Sequence, residues 1–558
     1  MKAFVASLLV VLVVGAQAEG AQTDAKAQTK APAALLPTAE LRIDSGVLRG
    51  LVVGEKKDIQ VYKGIPFAAP PVGERRWKAP QPVGNWQGVR DCFEFGAACP
   101  QKVPARYGSI PELDLNAPMS EDCLFLNVWT PARRTAENLP VLYWIHGGGF
   151  TMGAASQPLY DGEGLARLGC VVVSINYRLG ALGFLAHPAL SRENKENVSG
   201  NYGLLDQIEG LRWVKRNIAA FGGDSKRVTL FGESAGGGSV LCLMVSPLAK
   251  GLFHAAIAQS AAGADMTRLH EPQGGRVSAE EAGKRMIAAC GLPDAADASQ
   301  LRRLDAQALL KSTSSNEPPP GGEPRLKRLS LVLGPIVDGQ VIPDEPDSIF
   351  AAGREEAVPL IIGNTKDEMS MFLMMTKMPV DEAAYLKLLK ASFGGLADVI
   401  AKAYPAKNAK QIRPTVIQLA SDLAFILESR SIARKHSAAG QKTFRYEFAR
   451  GTRRGFLQFL GAHHGAELAF VFQHPANRDN QIEKRISETM GRYWVNFAAS
   501  GDPNGAGVPN WPACRAGSDE MVEFADDVKV LSGYRNSQLD AIEKYVQEAS
   551  SVTKKTEN

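Results

Sequence analysis

The sequence predicts an α/β fold, and two stretches carry the prediction. In the first, Arg227 to Phe231 (RVTLF) is a β-branched, apolar run bounded by polar residues, which reads as a buried strand. It leads through Gly232-Glu233-Ser234-Ala235-Gly236 into AGGGSVLCLMV, a segment apolar at helical spacing and stopped by Ser246-Pro247. In the second, Val141 to Ile145 (VLYWI) reads as another strand and runs into His146-Gly147-Gly148-Gly149-Phe150. Strands that pass through glycine turns into helices are the units of an α/β architecture.

The first stretch isolates one hydroxyl. Ser234 stands between glycines, and the order strand, Gly-x-Ser-x-Gly, helix is the context of a nucleophile elbow rather than of a flexible loop. Gly232 and Gly236 leave room for a sharp turn because neither carries a Cβ. The hydroxyl is then presented at a helix N-terminus, where the dipole favours developing negative charge.

The chain has 558 residues, 45% hydrophobic and 22% charged, a globular composition with ample material for a core. The length would suit several domains, but α/β chains often run long as one, and we expect a single domain over 39–550 with a flexible tail over 551–558. The net charge of +4, from 63 basic and 59 acidic residues, implies no nucleic-acid surface. Eight histidines and seven cysteines without a Cys-x-x-Cys give no metal framework, and no cofactor is expected.

The N-terminus reads as a signal peptide over 1–18: Lys2, an apolar run from Ala3 to Val14, and Ala16-Gln17-Ala18 as the cleavage site. The run is too short to span a bilayer, which takes about 20 residues. Residues 19–38 read as a disordered leader, and EPPPGGEPR at 317–325 as a surface loop. The compact signal and the single sequon at Asn197-Val198-Ser199 suggest a bacterial periplasmic or secreted protein. Gln481 to Ala499 and Arg535 to Ala549 read as helices; monomer and homodimer both stay open.

A serine nucleophile needs a base, an acid that orients the base, and donors for an oxyanion. The glycine run after Ile145 lacks the Lys-Ser/Thr of a phosphate loop, and suits backbone donors: Gly148 and Gly149, joined by Ala235 after the nucleophile. Such a donor is worth about 3–4 kcal/mol of barrier. The acid should follow a later strand. Pro359 to Gly363 is such a strand, with Asp367 and Glu368 in the turn beyond it; Asp338 competes but has turn neighbours. For the base, His436 beside Arg434 and Lys435 is expected at the surface, and His474 lies in a Pro/Asn-rich loop. His463 and His464 sit between apolar runs, and chemistry alone does not separate them.

At this point the residues resemble a family, the type-B carboxylesterases and cholinesterases of the α/β-hydrolase fold. The resemblance rests on FGGDSKRVTLFGESAGG (221–237), EDCLFLNVWTP (121–131), HGGGF (146–150), GNTKDE (363–368) and HHGAELAFVF from His463, with KGIPFAAPPVGERRWKAPQP (63–82) also similar. It implies a large, mostly parallel central sheet flanked by helices, with helical insertions around an active-site gorge. It implies a serine esterase acting on a small-molecule ester through Ser234, Glu368 and His464. It gives Glu233 a supporting electrostatic role, and pairs Cys99 with Cys123 in a disulfide, a bond that export permits and that would contribute about 3 kcal/mol.

Two departures from that family stand out. The animal enzymes' next bridge would use Cys290, but its partner is absent at Gln300-Leu301-Arg302; the pairing of Cys92, Cys170, Cys242, Cys290 and Cys514 is left open, with Cys170 and Cys242 reading as buried apolar residues. The Cys99 to Cys123 loop holds Tyr107 but none of the tryptophan with which cholinesterases bind a quaternary ammonium, which weighs against choline esters. The Met-rich stretch MSMFLMMTKM after Glu368 is either core or an adaptable wall near the acyl pocket. Two rivals stand beside the esterase: an esterase-like binding protein that has lost the triad, and the same triad acting on amides, carbamates or lipids.

Overall fold

Both faces of the central strands are apolar, so the sheet they form has to be covered on both sides. In β4 (Leu139–Ile145), Val141, Tyr143 and Ile145 enter one core, while Leu142 and Trp144 enter another on the opposite face. The computed structural model describes residues 36–103, 113–261, 266–273, 276–312, 333–451, 456–515 and 518–556. The expected signal peptide, residues 19–35 of the leader, Tyr107 and the 317–325 loop lie outside them.

The described residues build an eleven-stranded sheet. In chain order its strands are β1 (Leu51–Val53), β2 (Ile59–Pro66), β3 (Phe125–Thr130), β4, β5 (Val171–Ile175), β6 (Gly223–Glu233), β7 (Ala255–Gln259), β8 (Leu360–Thr365), β9 (Thr443–Phe448), β10 (Met521–Phe524) and β11 (Val528–Leu531). Their spatial order is β11-β10-β9-β8-β7-β6-β4-β5-β3-β2-β1. Neighbours from β10 to β5 are parallel, and both margins are antiparallel. This is the large, mostly parallel sheet that the resemblance implies. In such sheets the carboxyl ends of the strands carry the site. Here β4, β6, β7, β8 and β9 end side by side.

One face packs on α1 (Tyr202–Asn217) and α2 (Ala235–Val245). Every residue of α2 is buried, as expected of a helix that is apolar all round. The opposite face packs on α6 (Gln481–Ser500), whose Tyr493, Trp494 and Phe497 meet Trp144 and Phe231 within one core. The insertion between β8 and β9 holds α3 (Glu382–Phe393), α4 (Ala409–Ser421) and α5 (Leu427–Ala438) and has a core of its own. α7 (Asn536–Thr556) contributes Ile542 to that core and runs beyond residue 550, the expected end of the domain.

One expectation is corrected. His436 is fully buried, not at the surface. Its ring lies 2.7 Å from Glu355 and 2.9 Å from the Val358 carbonyl, while Arg434 and Lys435, turned onto other faces of the helix, reach Asp519 and Asp347. Adjacent helical residues point about 100° apart, so two charged neighbours do not fix the third.

A buried ion pair joins the β5 end to α1. Arg178 donates to Asp206 through Nε at 2.8 Å, Nη2 at 2.7 Å and its backbone N–H at 3.0 Å. Both side chains are out of solvent, so removing one leaves the other charged and unpaired. We expect Arg178→Met to destabilise the fold by about 3–5 kcal/mol, read from its denaturant midpoint.

Candidate active site

β6 ends at Glu233, α2 begins at Ala235, and Ser234 is the hinge between them. Its backbone takes φ 57° and ψ −121°, a region that L residues seldom adopt. The flanking glycines are required by contact. A Cβ on Gly236 would sit 2.0 Å from the Ile145 carbonyl oxygen, and one on Gly232 would sit 2.5 Å from the Gly236 backbone. The Ser234 N–H donates to the Gln259 carbonyl at 2.9 Å, which ties the elbow to the end of β7.

The glycine run after β4 lies against this elbow. A Cβ on Gly147 would come within 3.1 Å of the Ser234 Cβ. Gly148, Gly149 and Phe150 all have positive φ, and a Cβ on Gly148 would strike the Met152 carbonyl at 2.1 Å. Ala235 opens α2, where a backbone N–H has no intrahelical acceptor. His146 is not among the exposed groups: burial pushes it down to about 4, and it stacks on Tyr177.

Of the two adjacent histidines, His464 is the one placed at the acid. Its Nδ1 lies 2.5 Å from Glu368 Oε2. The other oxygen of Glu368 accepts the Ser260 hydroxyl at 2.6 Å and the Thr365 N–H at 2.8 Å. His463 turns back to the His464 carbonyl instead. Asp367 does not reach an imidazole; its Oδ2 accepts the Ala462 N–H at 3.0 Å, which fixes the histidine loop against the acid loop. Asp338 caps its own turn, accepting the N–H groups of Gln340, Val341 and Ile342. His474 lies 3.1 Å from the Asp161 carbonyl, away from the acid.

His464 Nε2 points to the elbow side. It lies 3.1 Å from Glu233 Oε1, too poorly aligned for a hydrogen bond, so Nε2 keeps no partner. Burial by itself disfavours the imidazolium, but Glu233 and Glu368 override it and carry His464 up to about 9. Burial raises Glu233 to about 7, aided by Glu368 and opposed by His464. Glu467, three residues beyond His464, is likewise raised by burial and by Glu233, and accepts from the Gln259 side chain at 3.1 Å.

Sequence reasoning missed five of these neighbours. Ser260 had a legible signal, a serine directly after the apolar run Ala255–Gln259, and Gln259 ends that run. Glu467 stands inside the histidine motif. Phe372 lies within the Met-rich stretch already singled out, whereas Phe425 had no signal; their rings lie 5.3 Å and 4.9 Å from the His464 ring. The Met-rich stretch divides: Met369 and Leu373 are core, Met375 is exposed, and it is Phe372 that reaches the imidazole. Cys99 and Cys123 are buried free thiols in contact, and the Cys99 hydrogen bond together with burial raises Cys123 well above the usual thiol range. No helix among the described residues is long and apolar enough to cross a membrane.

Residues 37–542 match the model of the carboxylesterase family. A fumonisin B1 esterase of Sphingopyxis macrogoltabida is 36% identical over 497 residues, 86% of this chain and 87% of the relative. A para-nitrobenzyl esterase of Bacillus subtilis (strain 168) is 35% identical over 485 residues, 85% of this chain and 92% of the relative. A medium-chain fatty acyl-CoA hydrolase precursor of Anas platyrhynchos is 35% identical over 506 residues, 85% of this chain and 86% of the relative. A solved PNB esterase superposes with a TM-score of 0.74 at 33% identity, covering 90% of this chain and 99% of that one.

Two outcomes are expected of the site. A negative charge beside Nε2 favours the imidazolium, so removing it in Glu233→Gln lowers the His464 pKa. The imidazole titration of His464, followed by proton NMR, should therefore move to lower pH. Ser260→Ala removes one charge-assisted donor from Glu368. A bond of that kind is worth about 1.5–3 kcal/mol, so the folding stability read from the denaturant midpoint should fall by about that amount.

Proposed function

The chain belongs to the carboxylesterase family and is a carboxylic ester hydrolase, and on that premise we propose that Ser234 is its nucleophile, His464 its base and Glu368 the acid that orients the base. The observation that carries this reading is the Nδ1 contact of His464 with Glu368, which leaves Nε2 facing the elbow. The substrate is a small-molecule ester.

In the reaction, the Ser234 oxygen attacks the ester carbonyl as its proton passes to Nε2. The carbonyl oxygen takes the negative charge and is met by the N–H groups of Gly148, Gly149 and Ala235. The tetrahedral species collapses, the C–O bond to the alcohol breaks, and Nε2 returns the proton to the departing oxygen. Water then attacks the acyl-serine, losing a proton to Nε2, and the serine leaves with that proton. Glu368 holds the imidazole through Nδ1 and stabilises the imidazolium. The pocket that raises His464 supports the same cation, and Glu233 reinforces it. No metal or cofactor takes part.

The chain also reads as exported through its first 18 residues. In an oxidising compartment Cys99 and Cys123 form a disulfide, a reading supported by their burial in mutual contact.

Turnover of p-nitrophenyl esters of increasing acyl length tests the assignment. Ser234→Ala should lower kcat by at least about 10⁴-fold, and a phosphonate probe should label the wild-type serine alone. Activity that survives in the variant overturns the role of Ser234.

A further inference from the structure

The helical stretch from Ala409 to Ala438 is interrupted. α4 ends at Ser421, Asp422–Ile426 form a π-turn, and α5 resumes at Leu427. A π-turn gives up regular helical bonding, so it persists where its surroundings hold it, and such turns concentrate at functional sites. The outer side of this one is clamped by charge. Arg535 Nη1 donates to Asp422 Oδ1 at 2.7 Å, and the Tyr404 hydroxyl donates to Oδ2 at 2.8 Å. Both members of the ion pair are buried, at 6% and 0% exposure. Arg535 also stands 3.5 Å from Glu447 on β9. It holds a positive φ of 58° immediately before α7, a strained backbone that the clamp sustains.

The inner side of the same turn meets the site twice. Phe425 lays its ring 4.9 Å from the His464 ring. Ser421, the residue before the turn, accepts the N–H of Met369 at 3.0 Å, next to Glu368. The Nδ1 contact with Glu368 fixes one edge of the imidazole but leaves the ring free to tilt about that contact. Two aromatic rings limit the tilt. Phe372 is 43% exposed, whereas Phe425 is 7% exposed and packed in the insertion's core. The fixed wall is therefore the one carried by the π-turn.

Building on the role of His464 proposed above, we propose that the Arg535–Asp422 clamp is a positioning device for the catalytic imidazole, acting through the π-turn and Phe425. Arg535 and Asp422 are positioning residues: the contacts that reach His464 and the acid loop come from Phe425 and Ser421. When the clamp is released, the turn relaxes toward regular helix, Phe425 leaves the imidazole, and Nε2 loses its aim while the fold and the substrate contacts persist.

The test compares Arg535→Met, Arg535→Lys, Phe425→Leu and the Met/Leu double variant with the wild type. Turnover is expressed per serine titrated with a phosphonate, so unfolded protein does not count. We expect Arg535→Met and Phe425→Leu each to lower kcat roughly ten- to a hundredfold, with KM changed by less than about twofold. The double variant should be no slower than the slower single one, because both act on one step. Arg535→Lys should recover most of the loss. Proton NMR supplies a readout independent of turnover: the low-field Nδ1–H signal of His464 should be sharp in the wild type and shifted or broadened in both single variants. It stands even if the wild type cleaves no ester, so failure of the esterase reading is distinguishable from failure of this one.

Wild-type kcat per titrated serine in a folded Arg535→Met, whatever its melting temperature, overturns the proposal, as do additive losses in the double variant. Should Arg535→Met not fold, Phe425→Leu and Arg535→Lys decide: an unchanged His464 signal and unchanged kcat in Phe425→Leu overturn it.

Discussion

The strained backbone of Ser234 is the constraint around which the rest of the structure is arranged. A residue at φ 57° and ψ −121° costs of order 1–3 kcal/mol, and it persists only where its neighbours over-determine it. They do so here from both sides. β6 is paired with β4 and β7 up to its last residues, Ile145 opposite Gly232 and Gln259 opposite Glu233. α2 is pressed so closely on the end of β4 that Gly236 has no room for a Cβ. Sheet pairing, an all-buried helix and two glycines together hold the hydroxyl at the carboxyl edge of the sheet. The same edge supplies the glycine run after β4, Ser260 after β7 and Glu368 after β8.

Electrostatics then separates carboxylates that crowd one imidazole. Glu368 is supplied with donors by Ser260, Thr365 and His464. Glu233 Oε1 and Glu467 Oε2 have no hydrogen-bond partner, and burial pushes both groups upward. Hydrogen-bond donors are thus concentrated on the carboxylate that faces Nδ1. The imidazole has the hydrogen-bonded carboxylate of Glu368 at Nδ1 and the carboxyl of Glu233 3.1 Å from Nε2, an environment that favours its protonated form.

Around this centre the insertion between β8 and β9 supplies the aromatic wall. Its helices pack into a core of their own, and Arg535 ties the π-turn at Asp422 beside Glu447 of the sheet. It meets the site through Phe425 and through the Met369–Ser421 contact, while Phe372 remains half open to solvent. The site therefore has a floor built from strand ends and a side made partly of a solvent-exposed ring.

The sequence by itself determined the sheet-forming strands, the elbow and the glycine run, because each depends on local chemistry: continuous apolar stretches, a helix stop at Ser246-Pro247, glycines where no Cβ fits. Observed β6, β4 and β8 extend the expected strands by a few residues at most at their functional ends, α6 falls where expected, and α7 continues through Thr556, so that 551–556 of the expected flexible tail are helical. The choice of Glu368 over Asp367, and of His464 over His463, was left open by residue chemistry and came from family resemblance. In the structure Asp367 spends its carboxylate on the Ala462 amide, and His463 turns to a backbone carbonyl. The burial of His436, the Ser260 contact and the ring of Phe425 on His464 were decided only by tertiary structure. Each joins residues tens to hundreds of positions apart, and no local pattern encodes which distant chain will complete a hydrogen bond or cover a ring.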